Sequence, residues 1–351
     1  MKIPKVFFFS EDLAGPFDEG IKSAAVQVIK ALGENAAVMC ACRSADPSLE
    51  KIVEFRRLNR LLLSPRLRRM MRDFAPDITL YIPRWAGTFA GFLRMWMLKR
   101  HCPGAKAVMI ILQPKDMNRL QKKLLRYFKP DQVMTPSPRV RKEMQEAGIP
   151  AEFFPLFTDR KKFAPLPSSR SRDELRRKYR LPQDKFLALH VGHINWGRNL
   201  EALIPLQARD CQVIVVGSSS TSTVAHRDET LKRTLLDAGI IIIENFLERI
   251  EEVYQLSDLY VFPVVQDIGC VSLPLSVLEA RACGLPVLTS DFGGLRSLFG
   301  DRDQDVVFAD PTDFPKALRK LKRSQARLSG PEQIERINQA FSRAIQSIAE
   351  G

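Results

Sequence analysis

The sequence predicts an α/β protein with two doubly wound parallel sheets, one in each half of the chain, that face a cleft between two domains. At 351 residues the chain is too long for one ordinary hydrophobic core. Each half alternates short apolar runs with amphipathic stretches long enough for helices, the pattern of a parallel sheet covered on both faces. A segment rich in proline and serine, FAPLPSSRSRDELRRKYRLP, separates the two halves and leads into a charged helix.

The first domain is expected over residues 1–165. Its strands are predicted at KVFFFS, AAVMCA, ITLYIP, KAVMIIL and DQVMTPS. The first of these has an apolar run of only about four residues, followed by Glu11 and Asp12, so it is interpreted as a buried strand rather than a secretory leader. The longest mostly apolar window, 85–98, contains Arg94 and is shorter than the roughly 20 residues of a membrane-spanning helix.

The second domain is expected over residues 166–330. Its strands are predicted at FLALHVG, QVIVVG, IIIIENF, DLYVFPVV and PVLTS. In such sheets ligands bind at the carboxyl ends of the strands. Residues 331–351 are expected to form a helix that packs back towards the first domain, with an apolar face at near-helical spacing made of Ile334, Ile337, Phe341, Ile345 and Ile348.

The composition indicates a globular protein without a zinc site or a disulfide framework. The chain is 45% hydrophobic and 27% charged, which is typical of a globular protein. Its six cysteines lack paired CxxC spacing, so neither a zinc site nor a disulfide framework is indicated. They are interpreted as reduced thiols of a cytoplasmic protein.

The net charge of +14 and the pI of about 9.7 favour anionic partners. Basic residues are concentrated in one segment, where leucines and methionines alternate with Arg56, Arg57, Arg60, Arg66, Arg68, Arg69 and Arg72. This mixture suits an amphipathic surface on anionic lipid at the inner face of a membrane, and equally a solvated helical face with a core side. There is no recognition helix, zinc finger or stacking platform, so nucleic acid is not expected as a partner.

A helix in VSLPLSVLEARACGLPV carries a single acid, Glu279. Ser272 is the predicted N-cap with Pro274 in the first turn, and Gly284 suits the left-handed position after the last turn. Helical spacing places Ser272, Ser276 and Glu279 on one polar stripe.

Helical side chains lean towards the N-terminus, so this polar stripe points at the carboxyl edge of the sheet. Backbone N–H groups and the helix dipole favour a bound anion at that edge. A carboxylate beside the anion can accept hydrogen bonds from sugar hydroxyls. From spacing alone, a solvated helical glutamate is the competing interpretation.

These residues resemble a known family. LPLSVLEARACGLPVLTSDFGGL is similar to the donor-site segment of glycosyltransferase family four, the retaining group with the GT-B fold of two Rossmann-like domains. The resemblance extends to FDEGIKSAAVQVIKAL, VMTPSPRVRKEMQEAGI, HVGHINWGRNLEALI and LERIEEVYQLSDLYVFP. It also covers FFPLFTDRKKFAP, in which Asp159 and Phe163 match the interdomain stretch of the family.

The resemblance implies transfer of a sugar from a nucleotide diphosphate sugar, with retention at the anomeric carbon and no required metal. It assigns the diphosphate to His193 and Arg198, beside Gly192, and the nucleotide ribose to Glu279. Arginine matches phosphate oxygens and keeps its charge, whereas the charge of a histidine depends on pH. Further donor contacts are expected at Gly15, Gly20, Ser272, Leu273 and Ser276, while Gly217 is interpreted as a turn residue.

Three departures from the family pattern affect the site. Val271 stands where the first of two motif glutamates is usual, so Asp267, or else backbone amides near Ser272 and Leu273, would hold the transferred sugar. Gln113 replaces a common histidine on the acceptor side and cannot act as a general base near neutral pH. Phe157 stands where an interdomain glycine is common. Transfer can then rely on the leaving phosphate to accept the acceptor's proton, with Arg198, Glu279 and Asp267 as the catalytic set.

The sequence therefore predicts a glycosyltransferase that uses a UDP- or GDP-linked sugar and a glycan or lipid-linked acceptor in the synthesis of cell-surface polysaccharide or lipopolysaccharide. A degenerate GT-B protein that binds the nucleotide sugar without transfer is the first alternative. A sugar-nucleotide epimerase is the second. Base contacts are expected from the backbone of the loop around Phe246 to Ile250.

Overall fold

The computed structural model describes residues 3–15, 20–47, 49, 52–217, 229–244, 247–267, 270–301, 303–324 and 330–350. The chain divides into two compact units. The amino-terminal unit comprises Met1–Phe157, Cys270–Leu273 and Asn338–Gly351, and the carboxy-terminal unit comprises Thr158–Gly269 and Pro274–Ile337. The division falls between Phe157 and Thr158, a few residues before the boundary expected from sequence.

The amino-terminal unit is built on a parallel sheet. Its strands are β1 Lys5–Ser10, β2 Asp12–Leu13, β3 Ala37–Cys42, β4 Ser44–Ala45, β5 Ile52–Glu54, β6 Ile78–Ile82, β7 Lys106–Ile110, β8 Gln132–Thr135 and β9 Ala151–Phe153. Seven of them form one sheet in the order β5-β3-β1-β6-β7-β8-β9, while β2 and β4 pair separately. The chain order reverses between β1 and β6, so a crevice is expected beyond the carboxyl ends of these two strands.

Helices cover this sheet: α1 Gly20–Gly33, α2 Pro65–Phe74, α3 Phe89–His101, α4 Arg119–Leu124, followed by a 3₁₀ turn Leu125–Tyr127, and α5 Pro138–Glu146. Helices α2, α3 and α5 are each capped by a hydroxyl side chain that accepts a hydrogen bond from a backbone N–H of the first turn. The capping residues are Ser64, Thr88 and Ser137 respectively. The mostly apolar window of the sequence lies largely in α3, whose Phe92 and Met95 are buried in the core. No helix in the described part of the chain is long and apolar enough to cross a membrane.

The basic segment from Arg56 to Arg72 has the core side that one of the two interpretations of the sequence expects. Its seven arginines are exposed. Leu62, Leu67 and Met71 are fully buried and join the core, so α2 has a core side. Leu61 and Leu63, however, are 45% and 51% exposed beside the arginines.

The carboxy-terminal unit repeats the architecture. Its strands are β10 Phe186–Gly192, β11 Cys211–Gly217, β12 Ile241–Ile243, β13 Leu259–Phe262, β14 Val287–Thr289 and β15 Val306–Phe308. They form a parallel sheet in the order β12-β11-β10-β13-β14-β15. The order reverses between β10 and β13, which makes the carboxyl ends of these two strands the expected ligand edge.

The helices of this unit are α6 Arg172–Lys178, α7 Glu229–Asp237, α8 Ile250–Leu256, α9 Leu275–Ala282, α10 Leu295–Phe299 and α11 Phe314–Ser324, with 3₁₀ segments at Trp196–Arg198, Leu200–Leu206 and Pro311–Asp313. Ser171 caps α6, the charged helix that the sequence predicted after the interdomain segment. One charged cluster anchors this region, because the fully buried carboxylate of Glu252 accepts from Arg170, Lys178 and the hydroxyl of Tyr179.

The last helix, α12 Gly330–Glu350, confirms the predicted amphipathic tail. All five residues of its predicted apolar face are at most 5% exposed. Its portion from Asn338 onwards belongs to the amino-terminal unit. There the ring of Phe341 lies 5.5 Å from that of Phe154 and 5.6 Å from that of Phe157, so Phe157 serves as a packing surface for the tail.

All six cysteines are free thiols, and five of them are buried. Burial raises the pKa of Cys40 to about 12 and that of Cys211 to about 11. These thiols stay protonated and unreactive at neutral pH.

The packing of the tail leads to a stability prediction. Phe341→Ala should lower the free energy of unfolding by about 3–5 kcal/mol, because it removes a buried ring and leaves a cavity against Phe154 and Phe157. Chemical denaturation followed by circular dichroism measures the change. Ser342→Ala, at the next and exposed position, is the matched control and should stay within about 0.5 kcal/mol. A loss below about 1 kcal/mol for Phe341→Ala would contradict this packing.

Candidate functional site

The loop after β10 occupies the expected ligand edge of the carboxy-terminal unit. Gly192 is the last residue of β10, His193 follows it directly, and Arg198 ends the 3₁₀ segment Trp196–Arg198. Asn199 adopts a left-handed conformation with φ of 53°, and its side-chain amide donates to the carbonyl of Pro263 at 3.0 Å. This bond ties the loop after β10 to the end of β13.

Helix α9 begins later than the sequence predicts. Ser272 was expected as the N-cap, but the helix starts at Leu275 and its cap position is Pro274, with no side-chain cap bond. The prediction is wrong because it required a helical residue directly before proline, which the proline ring disfavours. The end of the helix is as predicted, since Gly284 has a φ of +85° after Cys283.

Glu279 of α9 is half-buried and contacts a buried tyrosine. The hydroxyl of the fully buried Tyr254 donates a hydrogen bond to its Oε2 at 2.9 Å. Burial raises the pKa of Glu279 to about 7, while the Tyr254 hydrogen bond and the charge of Lys162 act in the opposite direction. Glu279 is therefore not the solvated helical glutamate of the competing interpretation. Its carboxylate is partly protonated at neutral pH and is sensitive to what binds beside it.

A second buried tyrosine connects the predicted donor residues. The Tyr260 hydroxyl in β13 donates to the carbonyl of Val191 in β10 at 3.3 Å and is also hydrogen-bonded to Ser276. Burial raises the pKa of Tyr260, and the charges of Glu279 and Arg198 act on it with opposite signs. Of the predicted residues, Ser276 is thus bonded to this hydroxyl, and Arg198 and Glu279 lie near enough for their charges to act on it.

His190 lies beneath the same edge. Its ring is fully buried and stacked near the rings of Tyr260 and Phe262, with Nδ1 2.9 Å from the carbonyl of Val261. Burial lowers its pKa to about 4, so the ring is neutral. A Cβ at Gly192 would lie 3.0 Å from His190 Nε2, which explains the glycine at the end of this strand.

The stretch containing Asp159 and Phe163 supports the same site. The Asp159 carboxylate accepts the backbone N–H of Lys161, and its carbonyl accepts that of Phe163. The turn places the ring of Phe163 5.9 Å from Tyr254, in an edge-to-face arrangement. These residues therefore position Tyr254 and, through its hydroxyl, Glu279.

The remaining residues of the predicted donor loops are less completely described. Asp267 is half-buried in the bend after β13, directly before residues 268 and 269, which lie outside the described part. Phe246, in the predicted base-binding loop, also lies outside the described residues. Gly217 is the last residue of β11, and a Cβ there would lie 3.1 Å from Ile194.

Val271, Ser272 and Leu273 lie in the amino-terminal unit. Val271 is 8% exposed, and a Cβ at Gly20 would lie 3.1 Å from its Cγ2, so the valine packs on the first residue of α1. The Ser272 N–H donates to the carbonyl of Leu112 at 2.8 Å. This corrects the expectation that the Ser272 amide would hold the sugar, because the donor is already used. The side chains of Ser272 and Leu273 are fully buried.

The other predicted residues of this unit lie at its carboxyl edge. Gly15 follows β2, and a Cβ there would lie 2.4 Å from the Asp46 carboxylate. Gln113 follows β7, is half-buried, and accepts the Gly87 N–H through its backbone carbonyl at 2.9 Å.

Sequence reasoning missed the two tyrosines that organise the site. Tyr254 and Tyr260 lie in the quoted segment LERIEEVYQLSDLYVFP, but neither was selected. A signal was present, because a buried tyrosine needs a partner for its hydroxyl and the polar stripe of α9 offers one.

Comparison with known proteins gives a family match within the carboxy-terminal unit. Residues 188–324 match the family model described as "Glycosyl transferases group 1". Over those residues the chain is similar to this family. The match covers the loop after β10 and the helix α9, which carry Arg198 and Glu279 respectively. It confirms the family predicted from the sequence motifs.

Two curated relatives support the assignment. The chain is 30% identical over 167 residues to D-inositol 3-phosphate glycosyltransferase of Thermomonospora curvata, covering 43% of this chain and 38% of that protein. It is 22% identical over 223 residues to alpha-galactosylglucosyldiacylglycerol synthase of Streptococcus pneumoniae, covering 58% and 57%. The chain thus spans less than two thirds of the length of these relatives.

A solved structure extends the likeness to the whole chain. Anabaena Alr3699/HepE in complex with UDP aligns with a TM-score of 0.76 at 14% identity, covering 99% of this chain and 98% of that one. At this identity the likeness shows the fold alone. It confirms the predicted GT-B class of two Rossmann-like parallel-sheet units.

The environment of Glu279 predicts a specific pH dependence of stability. Its folded-state pKa of about 7 lies above its ordinary value of 4.5. The folded state therefore binds the proton more tightly than the unfolded state does. The stability that this proton contributes is fully present below pH 4.5 and is lost as pH rises towards 7. Glu279→Gln removes the titration, so the Tm of the wild type should fall relative to that of the variant between these pH values.

Thermal unfolding at pH 5, 6, 7 and 8 measures this difference. Glu201→Gln, at an exposed position of the same unit, is the control and should track the wild type. A constant Tm difference between the wild type and Glu279→Gln would show that Glu279 is solvated.

Proposed function

We propose that this protein is a glycosyltransferase that binds a nucleotide diphosphate sugar at the β10/β13 edge of its carboxy-terminal unit. The observation that carries the proposal is the hydrogen bonding of Ser276 to the buried Tyr260 and of Glu279 to the buried Tyr254, at the edge where the loop after β10 carries Arg198. The family match supports the reaction class. The HepE neighbour, solved with UDP, favours a uridine nucleotide as the first donor to test.

The charges of the site suit a leaving nucleotide diphosphate. Negative charge develops on the diphosphate as the bond to the sugar breaks, and a fixed guanidinium beside it stabilises the transition state. Arg198 fills this role, with His193 directly after β10 as the second phosphate ligand. Glu279 accepts hydrogen bonds from the ribose hydroxyls, and these bonds favour its ionised form.

The proposed acceptor is a glycan or a lipid-linked molecule used in polysaccharide or glycolipid synthesis. One relative is named for D-inositol 3-phosphate and the other for a galactosylglucosyldiacylglycerol, which supports a polar or lipid-linked hydroxyl as the acceptor to test. We assign the acceptor to the amino-terminal unit, on the side of Gln113. Retention at the anomeric carbon and independence of metal remain predictions of the resemblance. The anomeric configuration of the product by NMR, and activity in the presence of EDTA, test them.

Donor affinity tests the assigned residues. Arg198→Ala and Glu279→Gln should each weaken UDP-glucose binding about 10- to 100-fold, because each removes a charge-assisted hydrogen bond. In the wild type, affinity should also rise with pH through about 7, since ribose hydroxyls favour the ionised Glu279. This pH dependence should disappear in Glu279→Gln.

Isothermal titration calorimetry at pH 6, 7 and 8 gives these values, first with UDP-glucose and then with a panel of UDP- and GDP-linked sugars. Arg233→Gln, an exposed position on α7 of the same unit, is the matched control and should bind as the wild type does. Unchanged affinity in both site variants would refute the proposed donor site.

The buried Val271 gives the binding-only alternative a specific basis. An apolar side chain stands where the family places an acid, and the neighbouring Ser272 amide is occupied. A degenerate protein would bind the donor tightly without hydrolysing or transferring it. An epimerase would produce a new sugar nucleotide without an acceptor. Donor turnover measured beside binding separates these outcomes from transfer.

We also propose that the basic segment contacts anionic lipid. The exposed Leu61 and Leu63 lie among exposed arginines, so apolar insertion and charge attraction can act together. At about 1 kcal/mol for each arginine, replacing Arg68, Arg69 and Arg72 with glutamine should weaken vesicle binding roughly 100-fold.

Co-sedimentation with phosphatidylglycerol vesicles at low and high salt measures this effect. The control replaces Arg139, Arg141 and Lys142 of α5 with glutamine and should retain binding. Equal binding to uncharged phosphatidylcholine vesicles, or none to either, would refute the lipid contact.

A further inference from the structure

A polar cavity lies at the carboxyl edge of the amino-terminal unit, where the strand order reverses between β1 and β6. Its volume is about 330 Å³. It is lined by Glu11, Asp12, Ala14, Arg43, Ser44, Arg84, Trp85 and Arg94. None of these residues belongs to the predicted donor or acceptor set.

The two carboxylates of the cavity are already satisfied. Glu11 accepts from the hydroxyl of the buried Tyr81 at 2.5 Å, from the backbone N–H of Arg84 at 2.8 Å, and from Arg94 at 3.0 Å. Asp12 accepts from the backbone N–H of Ala14 and pairs with Lys22 and Arg84. Every carboxylate oxygen therefore has a donor.

The arginines of the cavity are not saturated. Among the described residues, the Nε atoms of Arg43 and Arg84 are buried and have no hydrogen-bond partner. Arg43 uses one terminal nitrogen on the carbonyl of Asn59, and Arg84 uses one on Asp12. The cavity lining holds three cations, Arg43, Arg84 and Arg94, and the two carboxylates, an excess of one positive charge.

Buried guanidinium donors without partners are costly unless a ligand supplies acceptors. An oxyanion satisfies them best, because the arginine fork matches phosphate and carboxylate oxygens. Free hydroxyls of a neutral sugar would leave the excess charge uncompensated.

Trp85 adds a flat apolar surface at the mouth of the cavity. Its side chain is 50% exposed, and the guanidinium of Arg84 lies 4.8 Å from its ring centroid. An exposed aromatic ring beside a polar cavity offers a face to the apolar side of a sugar ring.

We propose that this cavity binds the acceptor, and that the acceptor is a sugar ring bearing a phosphate or carboxylate group. Arg43 and Arg84 hold the oxyanion, and Trp85 packs on the ring. This inference rests on the proposed glycosyltransferase function and specifies the class of its acceptor.

The test measures binding of glucose 6-phosphate, glucuronate, glucose and inorganic phosphate to the full chain by calorimetry. Saturating UDP is present so that the donor site is occupied. The two anionic sugars should bind at least 10-fold more tightly than glucose and than inorganic phosphate. Their relative affinity distinguishes a phosphate-bearing from a carboxylate-bearing acceptor.

Variants assign the contacts. Arg43→Gln and Arg84→Gln should each weaken binding of the preferred anionic sugar at least 10-fold, whereas Arg141→Gln, an exposed position on α5, should not. Trp85→Ala should remove the preference for the sugar over inorganic phosphate. UDP binding should be unchanged in all four variants, because the nucleotide is assigned to the other unit.

Glucose binding as tightly as the anionic sugars, or unchanged affinity in both arginine variants, would overturn the inference and leave the donor site intact. Competition between UDP and the sugar phosphate would also overturn it, because the cavity would then belong to the donor site. Loss of UDP-glucose binding in the wild type would instead refute the proposed function.

Discussion

A pair of buried tyrosines determines where the polar side chains of the carboxy-terminal unit lie. Tyr254 in α8 and Tyr260 in β13 have ring centroids 5.8 Å apart, and their hydroxyls point to different partners. One holds the Glu279 carboxylate, and the other joins Val191 of β10 to Ser276 of α9. Because both rings are fully buried, these hydroxyls cannot turn to water. Strands β10 and β13 and helix α9 are therefore held in a fixed relation.

The two units share one sheet architecture but differ in the electrostatics of the edge where the strand order reverses. In each, the strand order reverses at one pair of strands, and polar residues collect at that edge. In the carboxy-terminal unit the edge is desolvated, and it holds an acid whose pKa is raised to about 7. In the amino-terminal unit the acids Glu11 and Asp12 are each compensated by cations. One edge thus responds to protonation and the other presents excess positive charge.

Sequence periodicity was sufficient for the long strands and insufficient for most of the short ones. All ten predicted strands occur, including the three-residue β12 and β14, which lie in the apolar segments IIIIENF and PVLTS. The strands β2, β4, β5, β9 and β15, each of two or three residues, were missed. The start of α9 was misplaced because the effect of Pro274 on Leu273 outweighed the capping preference of Ser272. The roles of Tyr254 and of the Arg43 and Arg84 cavity depend on contacts between distant segments. Residue type alone does not encode such contacts.

The contact between Gly20 and Val271 links two positions that are 251 residues apart in sequence. A substitution at either position changes the packing at the other. Any side chain at Gly20 crowds the valine, and an acid in place of the valine would bring a charge into an apolar contact with 8% exposure. Val271→Glu would therefore destabilise the packing of α1, whatever the new acid contributed to the chemistry of the site.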